Sequence, residues 1–307
     1  MKRTFLFPGQ GSQSVGMGKD LAQNFELARR RYAEAADVLG FDLAEICFEG
    51  PEIELRQTRV TQPALYVHSC IVAELMAERG IVPDAAAGHS LGEYSALCAA
   101  GVFSFADGLR LVKARADAMQ FAGETQHGTM AAIVGMDDDA VRALCQEVSA
   151  VGVVVPANYN SPGQLVISGS VEAVRKAVEI AKPKGAKLAK ELPVSGAFHS
   201  PLMQPAADSL KKALASAQFN APRIPVISNV TAKPHNNVDS IRNLLADQLL
   251  SPVRWTETLL ELAALGTEAW YEVGSGSVLS GLLKRTVNGA AAATIGTVSD
   301  LEKLTAV

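Results

Sequence analysis

The pentapeptide Gly88-His89-Ser90-Leu91-Gly92 limits the possible folds of this 307-residue chain more than any other segment. It lies between a short apolar run at 85–88, which predicts a buried strand, and a helix-like stretch at 93–100. Glycines on both sides of a serine relieve crowding at a sharp strand-to-helix turn, which presents the nucleophile of many α/β enzymes. The Ser90 hydroxyl would then lie at the positive helix end, and the Leu91 N–H would face a developing oxyanion. The alternative is a serine that only caps the helix.

The rest of the chain alternates between helical and extended patterns. A strand at 4–7 leads into the glycine-rich turn 9–13, and a helical pattern follows at 21–38. The remaining patterns predict strands at 224–229 and 269–274 and helices at 63–79, 104–121, 205–217, 240–250, 256–265 and 277–287. This alternation predicts an α/β fold with a hydrolase-like body around a central parallel sheet.

The order of elements changes in the middle of the chain. Here the patterns predict helices at 137–149 and 171–182 and strands at 129–136, 151–160, 164–169 and 186–194. The resulting βαββαβ order is typical of a ferredoxin-like unit. We therefore predict a small subdomain, residues 127–195, inserted into a large catalytic subdomain formed by residues 1–126 and 196–307. A ligand-binding cleft is expected between the two.

Composition argues against several classes of function. The net charge of −4 and the pI of about 5.8 give no reason to expect a nucleic-acid partner. The longest helix-like stretch without charge, 94–106, is shorter than the roughly 20 residues that span a bilayer, so no membrane span is expected. The four cysteines form no CxxC pair, and the N-terminus lacks the apolar run of a signal peptide. We therefore expect a cytoplasmic protein with reduced cysteines.

A serine nucleophile needs a base, and histidine is a usual one. Of the five histidines, His199 lies at the seam after the last inserted strand, and it is the preferred partner of Ser90. The segment around it equally fits a loop packed by Phe198. His68 lies in an apolar helical run, and His89 directly precedes Ser90. His127 and His235 lie in polar, loop-like stretches. We expect His68 to be a core histidine and His89 to point away from Ser90.

The segment GHSLGEYSAL, preceded by FPGQGSQ and TQPAL, resembles the malonyl-CoA:acyl carrier protein transacylases of fatty-acid synthesis. Other segments extend the resemblance in the family's order over nearly the whole chain: VKARADAMQ, GTMAAIVGM, NYNSPGQLVISG, VSGAFHSPLM, DQLLSPVRW and YEVGSGSVLSGLLKR. A GxSxG pattern alone is shared with many hydrolases, whereas the ordered set is specific.

The resemblance implies a role for each matching residue. Ser90 would be the nucleophile and His199 its base. The backbone N–H groups of Gln10 and Leu91 would donate to the oxyanion, and the backbone carbonyl of Gln248 would orient the imidazole. The implied reaction carries the malonyl group of malonyl-CoA through Ser90 to the phosphopantetheine thiol of acyl carrier protein, with no metal and no permanently bound cofactor.

Arg115 has two interpretations. From its spacing in the helix at 104–121, it fits a surface ion pair with Asp107 or Asp117 better than an inward-facing cation. The resemblance implies the inward-facing role, in which the guanidinium binds the free malonyl carboxylate through two parallel hydrogen bonds. Such an arginine would favour malonyl over acetyl donors. Phe198 similarly resembles sites that select malonyl over methylmalonyl.

Several alternatives remain open on the sequence. Asn158 and Asn160 border an SPG turn and fit either turn formation or cleft contacts. A basic run fits docking of the acidic carrier protein or a solvated face: Lys182, Lys184, Lys187 and Lys190. The competing functions are a serine hydrolase, which normally carries its histidine later in the chain, and a catalytically silent scaffold. A monomer is the default assembly.

Overall fold

The computed structural model describes residues 1–194 and 196–304. Within this part of the chain, nine strands form two sheets. The strands are β1 (Arg3–Phe7), β2 (Ala85–Gly88), β3 (Gly128–Val134), β4 (Val154–Ser161), β5 (Gln164–Ser170), β6 (Leu188–Glu191), β7 (Val226–Ile227), β8 (Ala269–Val273) and β9 (Ala292–Ile295). The helices are α1 (Lys19–Asn24), α2 (Glu26–Leu39), α3 (Leu43–Glu49), α4 (Glu52–Leu55), α5 (Thr58–Glu78), α6 (Gly92–Ala99), α7 (Phe105–Thr125), α8 (Asp138–Glu147), α9 (Val171–Ala181), a 3₁₀ turn (Pro201–Met203), α10 (Gln204–Ser216), α11 (Val238–Asp247), α12 (Trp255–Ala264), α13 (Val278–Thr286) and α14 (Val298–Lys303).

The central sheet is parallel, with the strand order β7-β2-β1-β8-β9. Phe5, Leu6 and Phe7 on β1 are all buried, as expected for a parallel sheet covered on both faces. Because β1 and β2 are parallel neighbours, the loop after Phe7 and the turn after Gly88 meet at the same edge. In open α/β sheets this carboxyl edge is where ligands bind.

The second sheet is antiparallel, with the order β4-β5-β3-β6. Helices α8 and α9 pack on it, and it has its own apolar core that includes Ile133, Leu165 and Val174. Its elements follow the predicted βαββαβ order. The predicted fold class, an α/β body with a parallel sheet and a small inserted sheet, is confirmed. The subdomain limits remain a prediction, and their ends at 195 and 307 lie outside the described residues.

Strand β4 connects the small sheet to the large body. Tyr159 N–H donates to the carbonyl of Val253 at 2.9 Å, and Val253 N–H donates to the carbonyl of Ala157 at 2.8 Å. These bonds cover the free edge of β4, which would otherwise expose unpaired backbone groups.

Some element boundaries differ from the sequence patterns for tertiary reasons. The pattern predicts a helix at 63–79, whereas α5 begins at Thr58 and includes Pro63 in its interior. The N–H of Thr58 donates to Oε1 of Gln120 on α7 at 3.1 Å, a cap that no local pattern reveals. The helix predicted at 21–38 is divided at Phe25 into α1 and α2, and β9 was not predicted. None of the described helices is both long and apolar enough to cross a membrane.

Candidate active site

Ser90 lies on the sharp turn between β2 and α6, and its backbone is left-handed with a φ of 51°. A residue with a Cβ rarely adopts this region, so the surrounding structure must hold it there. The flanking glycines permit the turn: a Cβ on Gly92 would overlap the carbonyl oxygen of Phe7, and a Cβ on Gly88 would overlap the backbone of Gly92. The close packing of α6 against the ends of β1 and β2 therefore requires both glycines.

His199 lies within hydrogen-bond distance of the Ser90 hydroxyl. The distance from Ser90 Oγ to His199 Nε2 is 2.8 Å. On the other side of the ring, Nδ1 lies 2.8 Å from the backbone carbonyl of Gln248 and 3.2 Å from that of Ser251. A carbonyl can only accept, so Nδ1 carries the proton and Nε2 keeps the lone pair that accepts from Ser90. The imidazole is thus oriented to take the serine proton.

The environment of His199 keeps its imidazole uncharged. The side chain is buried, and this burial, followed by the positive charge of Arg115, lowers the pKa of His199 to about 3. The hydrogen bond to the Gln248 carbonyl acts in the opposite direction but is the smaller effect. At neutral pH the ring is therefore in the state that a general base requires.

Arg115 projects from α7 into the same site and is only 1% exposed. Its Nη2 donates to Ser90 Oγ at 3.0 Å and to Gln248 Oε1 at 2.8 Å. Its Nη1 donates to Gln62 Oε1 at 2.7 Å. The two glutamines thus hold the guanidinium from two sides, and among the described residues its Nε–H has no hydrogen-bond partner.

The alternative of a surface ion pair for Arg115 is wrong. Asp107 pairs with Arg110 at 2.7 Å, and Asp117 pairs with Lys113 at 2.6 Å. Across residues 1–194 and 196–304, no carboxylate lies within salt-bridge distance of the Arg115 guanidinium. A buried cation whose hydrogen-bond partners are all neutral is suited to bind an anion.

A cavity of about 290 Å³ contains these groups and lies between the large body and the small sheet. The body contributes Gln10, Ser90, Leu91, Arg115 and His199, and the small sheet contributes Met130, Asn158, Asn160, Gln164 and Val166. Within the described ranges, the backbone N–H groups of Gln10 and Leu91 donate to no backbone carbonyl. Free N–H groups beside a nucleophile are what an oxyanion hole requires.

The family model for the acyl transferase domain matches residues 4–304, and so nearly the whole chain. The chain belongs to this acyltransferase family. It is 48% identical over 285 residues to the malonyl CoA-acyl carrier protein transacylase of Escherichia coli strain K12, with 92% of each chain covered. An acyl carrier protein S-malonyltransferase from Vibrio cholerae superimposes with a TM-score of 0.95 at 44% identity, covering 99% of this chain and 100% of the other. A malonyl-transacylase solved with its type II polyketide acyl-carrier protein gives a TM-score of 0.94 at 44% identity, with 98% of both chains covered.

In this acyltransferase the other histidines have different surroundings. His68 is buried, with Nε2 3.0 Å from the carbonyl of Gly296, which confirms the expected core role. Burial lowers the pKa of His68 to about 4. His127 is exposed, as a loop residue should be. His235 also lies in a loop, as predicted, but its side chain is buried and its Nε2 lies 2.8 Å from Glu93 Oε1.

Asn158 and Asn160 belong to β4 and not to the following turn. Both line the cavity, so the turn-forming interpretation is wrong and cleft contact is the observed arrangement. Asn160 Oδ1 lies 2.8 Å from His89 Nε2, and this contact directs the His89 ring away from the Ser90 hydroxyl, as expected. It also connects the nucleophile turn of the acyltransferase to the small sheet.

Three polar residues of the site were not predicted: Gln62, Glu93 and Asn229. Gln62 lies in the segment TQPAL, where only its contact with Arg115 reveals a role. Glu93 carries a charge at the start of an otherwise uncharged stretch, and this signal could have identified it as a buried anion. Asn229 accepts from Ser90 N–H at 2.7 Å across 139 residues of sequence, and no local signal reveals it.

Proposed function

We propose that this acyltransferase moves the malonyl group of malonyl-CoA to the phosphopantetheine thiol of acyl carrier protein through a malonyl ester on Ser90, and so supplies fatty-acid elongation. One observation carries the proposal. The Ser90 oxygen lies 2.8 Å from the base nitrogen of His199 and 3.0 Å from the buried guanidinium of Arg115. A nucleophile beside a cation suits an acyl donor that carries a carboxylate close to its thioester, as malonyl does.

In the first half-reaction, Ser90 Oγ attacks the thioester carbonyl while His199 Nε2 takes the hydroxyl proton. The negative charge moves to the carbonyl oxygen, where the N–H groups of Gln10 and Leu91 are proposed to stabilise it. Each such donor contributes roughly 3 kcal/mol to transition-state stabilisation. The carbon–sulfur bond then breaks, and the coenzyme A sulfur receives the proton from His199. The products are free coenzyme A and malonyl-Ser90.

In the second half-reaction, the thiol of the carrier protein attacks the ester carbonyl and gives its proton to His199. The carbon–oxygen bond to Ser90 breaks, and His199 returns the proton to the serine oxygen. The same atoms therefore catalyse both directions of a ping-pong exchange. The backbone carbonyl of Gln248 is proposed to orient the imidazole in place of the acid of a Ser-His-Asp triad.

Arg115 is the proposed receptor for the malonyl carboxylate. Gln62 and Gln248 hold the guanidinium from two sides, so its position is fixed before the substrate arrives. An acetyl group offers no anion, and it would leave the buried charge without a partner. The donor preference is therefore expected to be malonyl over acetyl.

Incubation with malonyl-CoA in the absence of an acceptor tests the proposal. We expect intact mass spectrometry to detect one malonyl group on the wild-type protein and none on Ser90→Ala. Addition of acyl carrier protein with its phosphopantetheine arm should remove the label and yield malonylated carrier. A label that water removes as fast as the carrier does would support the hydrolase alternative, and the absence of any label would support the silent scaffold.

We also propose that the acyltransferase acts as a monomer in the cytoplasm, without a resident cofactor. All proposed catalytic groups come from one chain, so no second copy is needed to complete the site. The four cysteines are free thiols, which suits a reducing compartment. Light scattering after size-exclusion chromatography tests the assembly, and a dimer as the active species would contradict it.

A further inference from the structure

Glu93 is a carboxylate that is completely buried directly beneath the nucleophile turn, at the second position of α6. Both of its oxygens accept hydrogen bonds from other segments. His235 Nε2 lies 2.8 Å from Oε1. Gln248 Nε2 donates to Oε2 at 2.7 Å, and the backbone N–H of Asn229 donates to the same oxygen at 3.1 Å. A buried carboxylate with this number of donors is held in one position.

Glu93 anchors Gln248 through its side-chain amide and Asn229 through its backbone N–H, and the side chains of these two residues also hold the backbone of Ser90. Asn229 Oδ1 accepts from Ser90 N–H at 2.7 Å, and Gln248 Nε2 donates to Ser90 O at 3.1 Å. Ser90 is thus held on both its N–H and its carbonyl, in the left-handed conformation that it would not adopt by itself. Glu93 accepts hydrogen bonds from both of the residues that hold Ser90.

The amide of Gln248 has a defined direction. Its Nε2 side faces Glu93, and its Oε1 side accepts from Arg115 Nη2 at 2.8 Å. A reversed amide would place an oxygen against the carboxylate and an NH₂ group against the guanidinium, and both contacts would be repulsive. The carboxylate and the arginine therefore determine each other's geometry through a single side chain.

We propose that Glu93 is a positioning residue for malonyl selection. It anchors the Gln248 amide, and this amide holds the Arg115 guanidinium against the site of the malonyl carboxylate. The inference rests on the proposed function and adds a residue that touches neither the substrate nor the reacting atoms. Its role depends on the reach of the carboxylate oxygens rather than on the charge, because the contacts with Gln248 and Asn229 are hydrogen bonds.

Two conservative variants of Glu93 separate the effect of side-chain length from the effect of the negative charge. Glu93→Gln keeps an oxygen for Gln248 and Asn229. Its NH₂ group can donate to His235 Nε2 once the ring proton moves to Nδ1, which has no partner in the part of the chain that the structure describes. Glu93→Asp keeps the charge but withdraws the oxygens by one methylene. We expect the malonyl-to-acetyl ratio of kcat/KM to fall roughly tenfold or more in Glu93→Asp and to stay within about threefold of wild type in Glu93→Gln.

Glu272→Asp is the matched control. Glu272 is equally buried and accepts three hydrogen bonds, from Leu279 N–H at 2.9 Å, Ser280 N–H at 2.7 Å and Ser280 Oγ at 2.6 Å. It has no hydrogen bond to Gln248 or Asn229, so its shortening should lower the melting temperature and leave the donor ratio unchanged. This control separates a general loss of packing from a loss of positioning.

A double-mutant cycle tests whether Glu93 acts through Gln248. Gln248→Met removes the side-chain amide and keeps the backbone carbonyl that His199 uses. We expect this variant to lose donor selectivity, and Glu93→Asp to cause no further loss in its background. The inference would be overturned if the losses of donor selectivity in Glu93→Asp and Gln248→Met multiply in the double variant. It would also be overturned if the malonyl-to-acetyl ratio of Glu93→Asp equals that of wild type, or if that of Glu93→Gln is as low as that of Glu93→Asp. Failure of the wild-type protein to transfer malonyl at all would instead refute the proposed function.

Discussion

Replacement of Arg115 by methionine tests the carboxylate receptor most directly. Methionine keeps an unbranched apolar stem in the buried position and removes the guanidinium that contacts Gln62, Gln248 and Ser90. A malonyl donor would lose two charge-assisted hydrogen bonds, each contributing roughly 1.5–3 kcal/mol. Their sum, about 3–6 kcal/mol, corresponds to a fall in malonyl kcat/KM of roughly 10²- to 10⁴-fold.

The acetyl donor provides the internal reference for Arg115→Met. Acetyl has a methyl group where malonyl has its carboxylate, so it loses none of these hydrogen bonds. In the wild-type site it also leaves a buried cation without an anion, a penalty that methionine removes. Acetyl kcat/KM should therefore remain unchanged or rise, and the malonyl-to-acetyl ratio should fall by at least the malonyl loss.

The assay is transfer to acyl carrier protein from malonyl-CoA and acetyl-CoA in parallel, with melting temperatures measured for each variant. Lys113→Met on the same helix is the control, because among the described residues this half-buried lysine pairs with Asp117 alone, at 2.6 Å. It should leave both donors unaffected. If Arg115→Met lowers the two donors equally in a folded protein, the guanidinium is not the malonyl receptor.

Three further predictions concern the pH dependence of activity, the pH dependence of stability and the glycine of the serine turn. Because burial and Arg115 lower the pKa of His199 to about 3, the imidazole stays neutral on acidification, and kcat/KM for malonyl-Ser90 formation should be constant between about pH 7 and 5. A base with an ordinary pKa near 6.5 would lose roughly 30-fold over this range and contradict the assignment. The unfolded chain binds a proton at His199 below about pH 6.5 that the folded chain does not. The free energy of unfolding should therefore decrease as the pH is lowered from about 6.5 towards 3, and urea titration should show a smaller decrease in His199→Gln. Gly92→Ala should abolish folding or the malonyl labelling of Ser90, because its Cβ would overlap the Phe7 carbonyl. Gly281→Ala on α13 is the control: its Cβ meets only the flexible Arg285 side chain, and thermal melts should show that it stabilises the protein by about 0.5–1 kcal/mol.

The nucleophile turn could be predicted from the sequence because all of its requirements lie within five consecutive residues. The glycines at 88 and 92, the apolar run before them and the helical pattern after them specify the turn locally. The βαββαβ order of the small sheet is similarly visible, because each of its strands and helices has a clear period of its own. The short strand β9 was missed because only pairing with β8 makes this segment a strand.

Arg115 marks the limit of prediction from spacing. On its helix, a surface pair with a nearby aspartate fitted the pattern better than an inward-facing cation, and only the family resemblance favoured the buried position. The preference for the surface was wrong because Asp107 and Asp117 are paired with Arg110 and Lys113 instead. Helix periodicity shows which residues share a face, but not which neighbours another helix brings to that face.

The contacts of the buried polar network could not be predicted from the sequence. Glu93 contacts His235 across 142 residues of sequence and Gln248 across 155. Each of these residues has a polar side chain that a single sequence assigns to the surface or to a loop. Their burial follows from the tertiary arrangement that brings the end of β2, the loop after β7 and the end of α11 together. A buried polar group requires partners, and here each supplies a hydrogen bond to another.

Arg115 connects the choice of donor to the strength of the base. After burial, its charge is the largest cause that lowers the pKa of His199, and its guanidinium contacts the oxygen that His199 must deprotonate. In the proposed complex, a malonyl carboxylate next to the guanidinium would carry the opposite charge, offset this effect and make the imidazole a stronger base. An acetyl donor would leave the charge without this compensation and the base weaker. Among the described residues the hydrogen-bond partners of Arg115 are neutral oxygens. The proposed receptor would therefore discriminate between donors both through its contacts and through its effect on the base.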